Sequence, residues 1–459
     1  MTTTSTTELD NKFPPQIKYI VGNEACERYS YYGMRSILTV FMIQVLLFQE
    51  AKATSVYHLF AGLCYLTPLF GAWLSDRIWG KYKTILYLSL VYCVGHAVLA
   101  IWETEAGLYA GLGLIALGSG GIKPCVSAHV GDQFKANQQH LLKKIYEVFY
   151  FMINFGSFFS TLITPWTLSK FGPSIAFGIP GVLMFIATFI FWMGRHQFVH
   201  VPPTKSDGHG MIPVLRSALK NQKSRVAGMS FLDAAIKDHS QEQIDAVKAV
   251  IDIAKLFAAV SVFWALFDQH GSSWVIQAMN MDLVFMGVQF EASQISAWNP
   301  IMVMGLIPFF SLMVYPLFEK LGFAMTPVRR MTGGMFVGAL SFFIIGAIQI
   351  WMDNSADKIN VMWQFFPYLI ITMAEVMISI TGLEFAYTQA PRSMKSSIMS
   401  IWLLTVFFGN LITAYVSEIN FFPVASAGYF MFFAILMALF ALVFLWMGKN
   451  FKEKNYMEN

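Results

Sequence analysis

The stretch NEACERYSYYGMR, Asn23 to Arg35, decides how the rest of the chain is read. It carries two acids and two arginines among three tyrosines, and the apolar run SILTVFMIQVLLF follows without a break. Wound as a helix at about 100° per residue, Glu24, Glu27, Arg28, Tyr31 and Arg35 fall within an arc of about 100°, a polar stripe roughly 16 Å long. Facing lipid, each charge would cost roughly 2.5–3.5 kcal/mol even on the mildest scale. The stripe must therefore face other helices or water. As a purely structural ion-pair cluster it would stabilise poorly beside apolar packing, so a working pathway is the better reading.

Composition agrees with a membrane setting. Of 459 residues, 56% are hydrophobic, 16% aromatic and only 13% charged, too apolar for a soluble domain of this length. Apolar stretches of about 20 residues, enough to cross a bilayer as helix, recur along the chain. The net charge of +4 says little without its distribution. The opening MTTTSTTELDNKFPPQ is polar, and no cleavable signal peptide is expected. Cys26, Cys64, Cys93 and Cys125 lie in or beside apolar segments with no metal-site spacing, and free thiols are expected.

Twelve spans are predicted: Lys18–Phe48, Ser55–Ile78, Lys83–Trp102, Ala106–Val130, Lys144–Lys170, Pro173–Gly194, Ala249–Met279, Ser293–Glu319, Pro327–Trp351, Trp363–Ala390, Ser393–Ile419 and Ala425–Lys449. They divide six and six, giving an N-terminal bundle over 1–195, a cytoplasmic linker over 196–248 and a C-terminal bundle over 249–459. The break VPPTKSDGHG opens the linker. Its later part, FLDAAIKDHSQEQIDAVKAV, has helical spacing but too many charges to span. It is either an interfacial helix or a solvated one. Basic residues crowd the even loops (Arg77, Lys81 and Lys83; Lys135, Lys143 and Lys144; Lys320, Arg329 and Arg330; Arg392 and Lys395) and the tail (Lys449, Lys452 and Lys454). The odd loops carry mostly acids, so both termini and the linker are expected in the cytoplasm. Two repeated six-helix halves would account for this order, as in many transporters.

Further polar groups dot the spans: His58 and Tyr65 on span two, Lys123 on span four, Asn154 on span five, and Asp268, Gln269 and His270 on span seven. Trp264, Asp268 and Ser272 would share a face at i, i+4 and i+8. Glu375 and Glu384 on span ten would point to opposite faces unless Gly382 breaks the helix. Both signs of charge occur in both halves, which suits a zwitterion or a proton with a polar solute. The glycines of GLGLIALGSGGIKPC, just before Lys123 and Pro124, permit close helix approach and bending. They lack the Walker spacing of a nucleotide loop. His196 and His200 have no third ligand in view, and no metal site is expected.

Several blocks taken together resemble the proton-coupled oligopeptide transporter (POT/PTR2) family of the major facilitator superfamily. EACERYSYYGMR resembles its ExxERFxYYG motif, with Tyr29 where phenylalanine is usual. GAWLSDRIWGKYKT from Gly71 resembles the facilitator loop between spans two and three. GSGGIKPCVSAHVGDQF leads to FYFMINFGS, which resembles FYxxINxGS. GLEFAYTQAP from Gly382 and FWALFDQHGSSW from Phe263 also fit. The resemblance implies an all-α integral membrane protein of the major facilitator fold, twelve helices in two six-helix bundles around a central cavity. Many bacterial relatives insert two extra helices between the halves, and the linker here is too polar to hold them.

The resemblance further implies proton-coupled symport of di- and tripeptides across a plasma or inner membrane by alternating access. Glu24, Glu27 and Arg28 would belong to the proton-coupling network, with His58 and Asp268 as a second proton site or gate. Arg35 and Lys123 would meet the peptide carboxylate. Glu384, Asn154 and Asn299 would meet the amino end and backbone. Tyr31, Tyr32, Tyr65, Trp274 and Trp402 would line side-chain pockets. The expected partners are peptides, protons and the lipid bilayer, with no nucleic acid, no cofactor beyond the co-transported proton, and a monomeric chain. A transporter of another small solute, such as an amino acid or nitrate, is the alternative. An enzyme would need a nucleophile–base or metal constellation that the sequence does not offer.

Overall fold

The computed structural model describes residues 12–203, 210–222 and 230–451. The polar N-terminal stretch before residue 12, part of the VPPTKSDGHG break, and Lys452 and Lys454 of the tail lie outside the described residues. Helices dominate because backbone N–H and C=O groups in hydrocarbon have to be satisfied within the segment. The first six are α1 Ile17–Gln44, α2 Glu50–Leu74, α3 Gly80–Ile101, α4 Glu105–Asp132, α5 Leu142–Phe171 and α6 Pro173–Met193. A short α7, Met211–Lys220, lies in the linker. There follow α8 Gln241–Phe267, α9 Ser273–Met279, α10 Trp298–Phe309, α11 Tyr315–Lys320, α12 Pro327–Asn354, α13 Phe365–Glu375, α14 Thr381–Gln389, α15 Lys395–Ile419 and α16 Ala427–Asn450. A two-residue hairpin pairs Val284–Phe285 with Val288–Gln289.

Ten helical stretches among the described residues are long and apolar enough to cross a membrane. One of them, Glu50–Ile101, holds both α2 and α3, which part at Gly80 in the left-handed region (φ 76°). The first helix, α1, has the length but carries the charged stripe. These ten are consistent with the expected twelve. Outward-facing Leu439, Leu442 and Val443 on α16 are exposed, as lipid-facing residues are.

Local chemistry sets the ends. Thr104, Ser240, Thr326 and Ser426 cap the N-termini of α4, α8, α12 and α16, each side chain accepting a backbone N–H. Gly172 (φ 80°) turns the chain between α5 and α6. The helix expected over the later linker is divided. Phe231–Lys237 forms a 3-10 turn, and from Gln241 the chain is already the first turns of α8, because the Ser240–Gln243 capping box starts a helix there.

Span seven does not run as one regular helix. It stops at Phe267, tightens through a 3-10 turn at Asp268–Gly271, and resumes at Ser273. Ser272 sits outside helical dihedrals (φ −129°, ψ −92°), so the expected i, i+4, i+8 face ends at Asp268. Spans eight and ten each contain a π-helical segment, Phe310–Val314 and Val376–Ile380. The second lies between Glu375 and Glu384 and shifts their relative phase. Gly382 is not the break: its missing side chain makes room for the Trp402 ring.

The chain forms two compact units. Unit 1 gathers the described residues within Met1–Thr204 with Gly271–Met304 and Asp357–Met362. Its core joins Ile37, Phe41, Phe60, Tyr92, Ile115, Phe177 and Phe191. Helices α2 and α4 cross where Gly71 faces Gly120 and Gly121; a methyl group at Gly71 would stand 2.6 Å from the Gly121 Cα. Unit 2 gathers the described residues within Lys205–His270 with Gly305–Ala356 and the described residues within Trp363–Asn459. In it, α8 packs on α15 and α16, and α12 on α13 and α16.

Candidate functional site

In unit 1 the α1 stripe is buried: Glu27 is 0% exposed, Glu24 2% and Arg35 8%. Arg28 sits between the two acids, its Nε 2.6 Å from Glu24 Oε1 and 3.3 Å from Glu27 Oε2. Both Glu27 oxygens lack a hydrogen bond, so the ion pair alone balances that carboxylate. The approach of α5 to this cluster depends on Gly156, where a methyl group would come within 3.1 Å of the Ala25 carbonyl and 3.3 Å of Arg28 Cβ. That glycine belongs to the FYFMINFGS block.

Aromatic faces hold the other cations. The Lys123 ammonium lies 4.4 Å from the Tyr31 ring centre and 4.7 Å from that of Tyr65. Arg35 lies over Tyr57 at 5.2 Å, and Tyr32 packs edge-on against Tyr31. Among the described residues no carboxylate lies within ion-pairing distance of Lys123. A cation on tyrosine faces keeps an attraction of about 0.5–2 kcal/mol while its N–H donors remain able to take an anion. Asn154 donates to the Tyr150 carbonyl of its own helix at 2.9 Å. His58, fully buried, is 2.8 Å from Ser272 Oγ. Trp274 is fully buried, and Asn299 is half-buried on α10.

Unit 2 holds the rest. Asp268 accepts a hydrogen bond from Asn410 Nδ2 at 2.7 Å. Trp402 packs edge-on against Phe257 at 4.9 Å and Trp264 at 6.2 Å. Glu384 is more than half exposed, 4.0 Å from Arg330, and lines a cavity of about 250 Å³ with Tyr315 and Glu319. The structure thus brings Glu24, Glu27 and Arg28 together, and places Tyr31, Tyr32, Tyr65 and Lys123 in one aromatic–cation cluster. Asp268, in the turn that follows α8, and Trp402 each meet the neighbouring helix or turn through a different partner, Asn410 and Trp264 respectively, whereas Glu384 stands with Arg330 at the end of span ten.

Three contributors escaped the sequence reading: Tyr57 under Arg35, Asn410 on Asp268, and Arg330 beside Glu384. Asn410 had a signal, a lone amide inside the apolar run of span eleven, since such groups in hydrocarbon are costly and find partners. Tyr57 had none beyond its place next to His58.

Long apolar helices bearing buried, paired charges define a polytopic α-helical integral membrane protein. The sequence profile of the POT family matches residues 82–423, and the chain belongs to that family. It is 41% identical to the POT family transporter PepTSo, whose crystal structure superposes with a TM-score of 0.91 over 96% of this chain and 98% of that one. The structure of an auto-inhibited POT family peptide transporter is 39% identical, with a TM-score of 0.90 over 97% and 98%. Peptide transporter 3 of Caenorhabditis elegans is 38% identical over 380 residues, which are 78% of this chain and 53% of that protein. The chain spans about half the length of most curated relatives it matches.

Proposed function

We propose that this protein carries di- and tripeptides together with protons across a plasma or inner membrane by alternating access, as a monomer with both termini in the cytoplasm. The reading is supported by membership of the POT family and by relatives described as peptide transporters. The observation that carries it is the charge arrangement of unit 1. There a fully buried carboxylate is balanced by one guanidinium, and a lysine is held by tyrosine faces rather than by an acid.

The chemistry follows from that arrangement. Protonating Glu27 removes its claim on Arg28, because a neutral carboxyl no longer balances a cation. The peptide carboxylate takes Lys123 and Arg35, whose donors suit it. His58 and Asp268 serve as a second proton site or gate, and Glu384, Asn154 and Asn299 as partners of the amino end and backbone. Tyr31, Tyr32, Tyr65, Trp274 and Trp402 accept varied side chains. A proton drives such a cycle only if it favours one conformation over the other.

The test is uptake of labelled dialanine into proteoliposomes. Glu27→Gln, fixed in the neutral form, should lose gradient-driven accumulation and retain counterflow exchange. Full accumulation by that variant would remove the mechanism. Failure of an excess of unlabelled dipeptides to compete would remove the substrate class.

A further inference from the structure

A second cavity lies within unit 1, away from the charged stripe. It is about 390 Å³ and is formed where the C-terminal ends of α1 and α5 meet the start of α6 and the connection from α9 to α10. In the predicted topology these are the ends that odd-numbered spans present to the non-cytoplasmic face. Val40, Val45, Pro165, Leu168 and Leu283 give it apolar walls. Its polar lining comes from Gln44, Ser169, Glu291 and Ser293, and no Lys, Arg or His is among the described residues that line it.

Two details make this more than a crevice. Ser293 is 1% exposed, lines the cavity, and its Oγ has no hydrogen-bond partner. A buried hydroxyl left without a partner is costly, because it has given up water without gaining a hydrogen bond. Glu291 stands two residues away at the start of the Ala292–Ala297 turn, where its backbone N–H donates to Gln294 Oε1 at 2.7 Å, and its carboxylate forms no ion pair among the described residues. The turn is fastened to α5 by Gln294, which donates to the Leu162 carbonyl at 2.6 Å. Gly271, before α9, is fastened to α1 by Thr39, which donates to its carbonyl at 2.8 Å.

We propose that this cavity is a binding site for small organic ammonium ions with an apolar body, separate from the residues assigned above to peptide and proton. The ammonium would donate to Glu291 and Ser293, and the body would lie against Leu168 and Val40. An occupant would bridge α1 and α5 to the α9–α10 connection. It would add to the two backbone ties already there and slow any step in which those segments part.

The probe is benzylammonium, titrated into the purified full-length protein in detergent micelles and read by calorimetry, a measurement that does not depend on transport. Binding should saturate at one equivalent and fall at least tenfold in Glu291→Gln. It should be abolished in Leu168→Trp, which fills the cavity while leaving the carboxylate in place. The neutral isostere benzyl alcohol should bind at least tenfold more weakly. Unchanged affinity in both variants, or equal affinity for the alcohol, would overturn the site. In liposomes, benzylammonium should lower the maximal rate of dialanine uptake without raising its KM; purely competitive inhibition would place the probe elsewhere and overturn the proposal.

Discussion

Glu27 is fully buried, and the charge that balances it belongs to Arg28, 3.3 Å away. Removing one partner of a buried pair leaves an uncompensated charge and costs about 3–5 kcal/mol. Arg28→Met should therefore lower the free energy of unfolding in detergent by that order. Glu27→Gln should cost less, since Arg28 keeps Glu24 at 2.6 Å. Equal losses in the two variants would show that the guanidinium is not what holds the acids. A gentler effect belongs to Tyr65, 4.7 Å under Lys123. Tyr65→Phe keeps the ring and should leave the KM for dialanine nearly unchanged. Tyr65→Ala should shift it by the equivalent of about 0.5–2 kcal/mol, and identical behaviour of the two would dismiss the ring's role. Residues of the stripe were legible because they share one helix and helical spacing alone aligns them. Tyr57 and Arg330 were not, because their partners lie on other helices and nothing local marks the pairing; Asn410 stood out as a lone amide in an apolar run, but its partner Asp268 lies elsewhere in the chain.

At the scale of the element, glycines divide into those that permit a crossing and those that do not. A side chain at Gly71 would run into the backbone of Gly120 and Gly121, whereas a methyl group at Gly113 or Gly178 would meet no heavy atom within 4 Å. Gly71→Leu should abolish a folded, monodisperse preparation, since only backbone movement could relieve it. Gly113→Ala should be neutral or stabilising by up to about 1 kcal/mol, the helix preference for alanine. The reverse order of stabilities would contradict the crossing. The linker offers a pH-dependent contact. Asp238 accepts from Ser217 at 2.6 Å and Asn221 at 2.9 Å, which hold its carboxyl below the usual range; Lys248, 2.6 Å from Asp233, does the same there. A depressed carboxyl pKa contributes stability above the unfolded value of about 4, and that contribution is lost as pH falls through the folded value. Amide exchange in Met211–Lys220, corrected for intrinsic rates, should thus be flat from pH 8 to 5 and accelerate below about 4. Long apolar elements were readable from length alone. The π segments at 310–314 and 376–380 were not, because a one-residue change of phase leaves hydrophobic composition untouched. Nor was the 3-10 turn at Asp268–Gly271: its polar residues read equally well as one face of a continuous helix, and no proline announces the break.

At the scale of the whole molecule, the ion network and the proposed substrate together set a measurable limit. A dipeptide at neutral pH is a zwitterion without net charge, so one accompanying proton makes the transported unit a monovalent cation. Its drive is then the full proton gradient, about 2.3 kcal/mol per 100 mV of potential and about 1.4 kcal/mol per pH unit. With 100 mV and one pH unit together, accumulation of dialanine should level off near 500-fold, at about tenfold per 1.4 kcal/mol. Clamping the potential to zero with potassium and valinomycin should reduce that ceiling to about tenfold. A second proton per peptide would square both figures, and the ratio of the two plateaus therefore counts protons without a kinetic model. In Glu27→Gln the plateau should fall to unity in both conditions, because a side chain that cannot lose its proton gives the gradient nothing to act on. A plateau that is high but insensitive to potential would mean that no net charge crosses, and would exclude a proton travelling alone with a neutral peptide.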